Sequence, residues 1–163
     1  MQQYDPITLR FRGISLSAPR GDTAAVKTAL QQLPPDSSTD RVHAVTRMQG
    51  QMQLVLSLLQ KKQFELAIDV AKSITYSSQD RDRALAFVAL QYATDGRIDD
   101  ARAMISSLGD ETNSKIWAPV RAALAVALAK ARNISSALQA TEQLGDPTSR
   151  RAALFLIAQT LPP

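Results

Sequence analysis

Three segments of this chain repeat one pattern. Lys62-Gln63-Phe64-Glu65-Leu66-Ala67, Gly96-Arg97-Ile98-Asp99-Asp100-Ala101 and Arg132-Asn133-Ile134-Ser135-Ser136-Ala137 each begin on a turn-type or hydrophilic residue, reach a bulky apolar residue and then place alanine three positions on. The alanines stand 34 residues apart (67 to 101) and 36 residues apart (101 to 137). A period of this size marks stacked helical hairpins, because one hairpin cannot bury its apolar face alone and needs neighbours. The expected fold is therefore all-α, an α-solenoid of stacked antiparallel helical hairpins. Arrays of this kind bind other proteins far more often than they catalyse.

The helical pattern between the repeats is regular. Gly21-Asp22-Thr23 offers a start signal, and Val26, Ala29, Leu30 and Leu33 follow at helical spacing before Pro34-Pro35 stops the run. A long helix is expected over residues 41–61, with Val45, Met48, Met52, Val55, Leu56 and Leu59 as its apolar stripe. Further helices are expected over 64–74, 81–94, 98–108, from around Lys115-Ile116-Trp117-Ala118 to about Arg132, over 134–144 and over 149–161. Gly96, Gly109 and Gly145 fall where helices end, and Pro119 falls near a first turn. Residues 1–20 lack this pattern. Ile7, Leu9 and Phe11 alternate with polar neighbours between Pro6 and Pro19, so this segment is expected to be an extended or disordered arm, with one repeat domain over 21–163.

Those residues resemble the tetratricopeptide repeat family. In the central hairpin, Leu85, Val88, Ala89 and Tyr92 match the first-helix places, Gly96 the turn glycine, Ile98 the apolar place after it, Ala101 the small residue and Ile105 the next apolar place. Leu54, Val55, Leu58, Phe64, Ala67 and Ala71 fit an earlier hairpin, and Leu124, Ala125, Leu128, Ile134 and Ala137 a later one. Residues 21–33 look like the second helix of a degenerate unit, and Ala152, Ala153, Leu154, Leu156 and Ile157 like a closing helix. The family's tryptophan place holds Gln51, Leu85 and Arg121, and the proline expected after the second helix is missing from the central repeat. These departures leave HEAT-like or PPR-like units open.

Composition narrows the function. The chain has 163 residues, enough for a core, and it has no cysteine, which removes disulfides, thiolate zinc sites and thiol nucleophiles. His43 is the single histidine and carries no metal-ligand spacing, so a helix-surface or helix-contact role is expected for it. Asp80, Asp82, Asp99 and Asp100 fall at helix starts, where a carboxylate complements the helix dipole. No phosphate-binding glycine loop and no nucleophile elbow occurs. The expectation is a protein with no catalytic residues, no metal and no cofactor. Trp117, beside Pro119, is read as a core residue, with an exposed binding role as the sharper alternative. No run approaches the roughly 18–20 apolar residues that span a bilayer, so no membrane insertion is expected. Met1 to Gly13 has no signal-peptide pattern. The localisation expected is cytoplasmic, with a previously removed signal peptide left open.

The resemblance also implies a binding face. One side of each first helix would line a concave groove: Met52, Leu56 and Gln60, then Arg83, Ala86, Leu90 and Thr94, then Ala122, Val126 and Lys130. Family members that clamp a terminal carboxylate use lysine, asparagine and arginine at such places, whereas Met, Leu, Ala and Val dominate here. An apolar peptide or helix from another protein is therefore the expected partner, as for an adaptor, chaperone or assembly factor. Self-association, or a place as a subunit of a larger assembly, is the companion reading. A net charge of +4 is mildly basic. Lys61, Lys62, Arg97 and Arg132 recur near the turns and could form a basic edge for nucleic acid, with plain solvation as the simpler account. Few aromatic residues accompany them, which weakens base stacking.

Overall fold

A computed structural model of the chain describes residues 23–31, 41–107 and 114–161. All regular structure there is helical. Among the described residues the eight helices are α1 (Thr23–Gln31), α2 (Arg41–Gln60), α3 (Phe64–Lys72), α4 (Ser78–Thr94), α5 (Ile98–Ser107), α6 (Ser114–Lys130), α7 (Ile134–Glu142) and α8 (Pro147–Thr160). The expected arm over 1–20, and Leu33, Gly109 and the loop after it, lie outside the described residues. The chain divides into two compact units, Met1–Ala84 and Leu85–Pro163.

Three helices end in the same way, and the sequence repeat is the cause. At the end of α2, the Gln63 N–H donates to Leu58 and the Lys62 N–H to Leu59; at the end of α4, Arg97 donates to Tyr92 and Gly96 to Ala93; at the end of α6, Asn133 donates to Leu128 and Arg132 to Ala129. This paired pattern is the Schellman motif, which satisfies carbonyls that a helix end would otherwise orphan. Its price is a left-handed residue, met by Lys62 (φ 58°), Gly96 (φ 78°) and Arg132 (φ 63°). The next residue's carbonyl then accepts from Ala67, Ala101 or Ala137, which opens the following helix. Each of these alanines is fully buried, and a larger side chain would have no room there.

Packing within each unit follows the same order. In the first, α2 packs on α3. Leu54, Val55, Leu58 and Leu59 of α2 are buried with Phe64, Ala67, Val70, Ala71 and Ile74. The inward residues expected for α3 are thus inside. Of the stripe expected for α2, Val55 and Leu59 are buried, whereas Val45, Met48, Met52 and Leu56 are only half-buried, and the buried face also takes in Gln51, Leu54 and Leu58. Gln51 is the polar member of that face, and an apolar pattern does not include it. In the second unit, α6 packs on α5, α7 and α8, and α7 also touches α8. Pro119 lies inside α6 rather than in its first turn, because the helix starts earlier than the apolar pattern suggested. Proline there removes one helix hydrogen bond.

Candidate functional site

The first-helix residues of the expected groove divide between the units. In the first, Met52 and Leu56 are half-buried on α2, Gln60 is exposed, and Arg83 is exposed with an ion pair to Asp80 at 3.5 Å. In the second, Ala86 is buried and packs with Ala89, Trp117 and Val120, and Leu90 packs against that cluster beside Met104, Ile105 and Ile116. Ala86 therefore does not line an open surface. Trp117 is a core residue, 3% exposed, and the exposed-tryptophan alternative is excluded.

The other four residues come together. Thr94, Ala122, Val126 and Lys130 line one pocket of about 410 Å³, closed further by Pro119, Ala123 and Leu156. Helices α4, α6 and α8 each contribute. The i, i+4 and i+8 spacing of 122, 126 and 130 puts these residues on one face of α6. The lining is largely alkyl, and Lys130 supplies a cation to it. Leu156 was not legible as a lining residue from the sequence, because α8 reads there only as a closing helix.

A second, more polar cleft of about 530 Å³ lies in the same unit, between α5, α6 and α7. Arg102, Ser106, Ser136, Gln139 and Gln143 line it with Arg121. Arg121 is buried and its Nη1 reaches the Gln143 carbonyl at 3.4 Å. Nothing in the repeat pattern marks this cleft, since the place that Arg121 takes is filled by Leu85 one repeat earlier.

Lys61, Lys62, Arg97 and Arg132 of the expected basic edge are all exposed, and Arg97 makes an ion pair and a ring contact. Its Nε donates to Asp100 at 2.7 Å and its guanidinium lies 4.5 Å from the centre of the Tyr92 ring. Lys61 and Lys62 belong to the first unit, and Arg97 and Arg132 to the second. His43 is half-buried on α2, and Asp80, Asp99 and Asp100 lie in first helical turns. Among the described residues no three histidine, cysteine or acidic side chains group to hold a metal. No helix among them is long and apolar enough to cross a membrane. No protein-family model, curated protein or solved structure matches the chain.

Proposed function

We propose that this chain is a non-enzymatic protein-interaction module, a tetratricopeptide-like solenoid of antiparallel helical hairpins, which takes an apolar peptide or helix from a partner protein. The observation that carries this reading is the alkyl pocket formed by Thr94, Ala122, Val126, Lys130 and Leu156. An apolar segment gains most where such a wall is already shaped and open to solvent. The cation of Lys130 favours an acidic residue at one end of that segment. The basic-edge alternative is weaker, because Arg97 is held by Asp100 and Tyr92.

The test is affinity capture with wild type and Val126→Asp. Val126 is half-buried and lines the pocket, so the change addresses binding. Leu90→Glu is a poorer probe, because Leu90 also supports the Trp117 cluster and its loss would destabilise the unit. The proposal expects partners recovered with wild type to be lost with Val126→Asp at unchanged helicity. Equal recovery by both would refute the pocket as the binding face.

A further inference from the structure

The polar cleft between α5, α6 and α7 carries a charge that packing does not require. Arg121 stands at its floor, 6% exposed, and donates one N–H to the Gln143 carbonyl at 3.4 Å. Two repeats earlier Gln51 meets the corresponding carbonyl, that of Ser73, at 2.9 Å with a neutral amide. In the repeat between them Leu85 fills the place with no polar side-chain atom and is 2% exposed. Neither of these needs a cation, and burying a cation costs more than burying an amide or an alkyl group. The other walls of the cleft agree with the charge. Arg102 of α5 lines its rim, and that guanidinium makes no hydrogen bond or ion pair among the described residues. Ser106 of α5, and Ser136 and Gln139 of α7, add hydroxyl and amide groups. No acidic residue among the described residues lines the cleft. Asp99 and Asp100 line a separate groove at the Gly96 turn, where Asp100 is paired with Arg97. The cleft's volume of about 530 Å³ suits a small ligand or a single side chain of a larger one.

We infer that this cleft binds a phosphate monoester, with Arg121 and Arg102 as its cationic groups. Two features select phosphate over carboxylate. A planar carboxylate is satisfied by one guanidinium fork, whereas donors here stand on three helices, an arrangement that suits the three oxygens of a tetrahedral group. Two guanidiniums also match the roughly −1.5 to −2 charge of a phosphate monoester at neutral pH. Ser136 and Gln139 then serve the remaining oxygens. The site is separate from the alkyl pocket, so it stands or falls independently of the interaction reading above. Its ligand is either a phosphorylated side chain of a partner protein or a small phosphorylated molecule, which share this chemistry.

The test is a titration of the full-length chain, labelled with nitrogen-15 and held at constant ionic strength, with three probes. These are inorganic phosphate, glycerol 3-phosphate and a short alanine peptide bearing one phosphoserine; acetate and the unphosphorylated peptide are the controls. Saturable shifts are expected at the side-chain amides of Gln139 and Gln143, and neither control should produce them. Arg121→Gln and Arg102→Gln should each weaken binding at least about tenfold, as loss of a charge-assisted hydrogen bond requires. Arg121→Gln places at this site the residue that position 51 already carries, and Arg102 is exposed, so both variants should fold, which circular dichroism checks. Lys130→Gln, Arg132→Gln and Val126→Asp, all outside the cleft, should bind phosphate as wild type does. Tighter binding of the phosphopeptide than of glycerol 3-phosphate supports the site with a partner's side chain as its source. The reverse order supports it with a small molecule. No saturable shift with any of the three probes overturns the inference, as does unchanged affinity in both arginine variants. Acetate binding as tightly as phosphate makes the cleft a carboxylate site and overturns it too.

Discussion

Gln51 Nε2 donates to the carbonyl oxygen of Ser73 at 2.9 Å, joining the middle of α2 to the end of α3. The same amide group also reaches the Ser73 hydroxyl at 2.9 Å. The carbonyl at a helix end lacks a partner of its own, and a buried amide supplies one. Arg121 does the same for Gln143, again 22 residues on. A polar residue in the middle of α2 and of α6 is thus part of the packing between two helices.

Gln51→Ala should therefore destabilise the chain by about 2–3 kcal/mol, combining a cavity with an unsatisfied carbonyl. Gln51→Leu should recover part of that loss, since leucine fills this place at position 85. Urea denaturation of the three proteins gives the comparison. Equal midpoints for wild type and Gln51→Ala would remove this contact from the account.

The three left-handed turn residues predict opposite responses to substitution. Gly96→Ala should cost about 1 kcal/mol, because an L-residue is disfavoured at that φ. A methyl group there meets no atom within 4 Å, so the cost is one of backbone conformation alone. Lys62→Gly and Arg132→Gly relieve the same penalty and should be neutral or slightly stabilising, by up to about 1 kcal/mol. Thermal unfolding of the three variants checks the signs. A Gly96→Ala protein as stable as wild type would contradict the turn geometry.

The repeat itself was legible because bulky residue, turn and alanine recur with the period of a helical hairpin, and the helices stand close to where that pattern puts them. The turn conformation was legible only at Gly96, where the residue type announces it. Lys62 and Arg132 take the same conformation without glycine, because two backbone hydrogen bonds and the next helix hold them there. The buried face of α2 was legible in part: Val55 and Leu59 are inside as expected, whereas Gln51 is polar and yet inside. Of the expected groove, Thr94, Ala122, Val126 and Lys130 do share a pocket, whereas Ala86 is covered. The covering residues, Trp117 and Val120, lie on another helix, and periodicity along one helix carries no record of what packs on it.

Ala101→Arg should lower stability by about 3 kcal/mol or more. The alanine is fully buried, so the variant must place a long charged side chain in a closed contact. Ala103→Arg, two residues on at an exposed position, should change little. Comparable melting temperatures for the two variants would mean that the helix register is wrong.

Stability should also carry a pH signature at the start of α8. The Ser149 hydroxyl and the Ser149 N–H both donate to Asp146 and hold its carboxyl below the usual range. A carboxyl lowered in the folded state stabilises above its unfolded value of about 3.9 and loses that contribution as pH falls through the folded value. Asp146→Ala should thus melt below wild type at pH 7, with the gap closing below about pH 4. Asp146→Asn, which keeps an acceptor without the charge, should melt closer to wild type at pH 7, and its gap should narrow over the same pH range, because the titrating carboxyl belongs to the wild type. Melting curves from pH 2 to 7 test this, and a gap independent of pH would contradict it.

The most direct test of the interaction reading is the salt dependence of binding to a captured partner, purified and titrated against this chain at several salt concentrations. An apolar segment in the Thr94, Ala122, Val126 and Leu156 pocket predicts an affinity that barely changes with salt, and that falls with Val126→Asp. A steep loss of affinity with rising salt, retained in Val126→Asp, would contradict it and assign binding to Lys61, Lys62, Arg97 and Arg132.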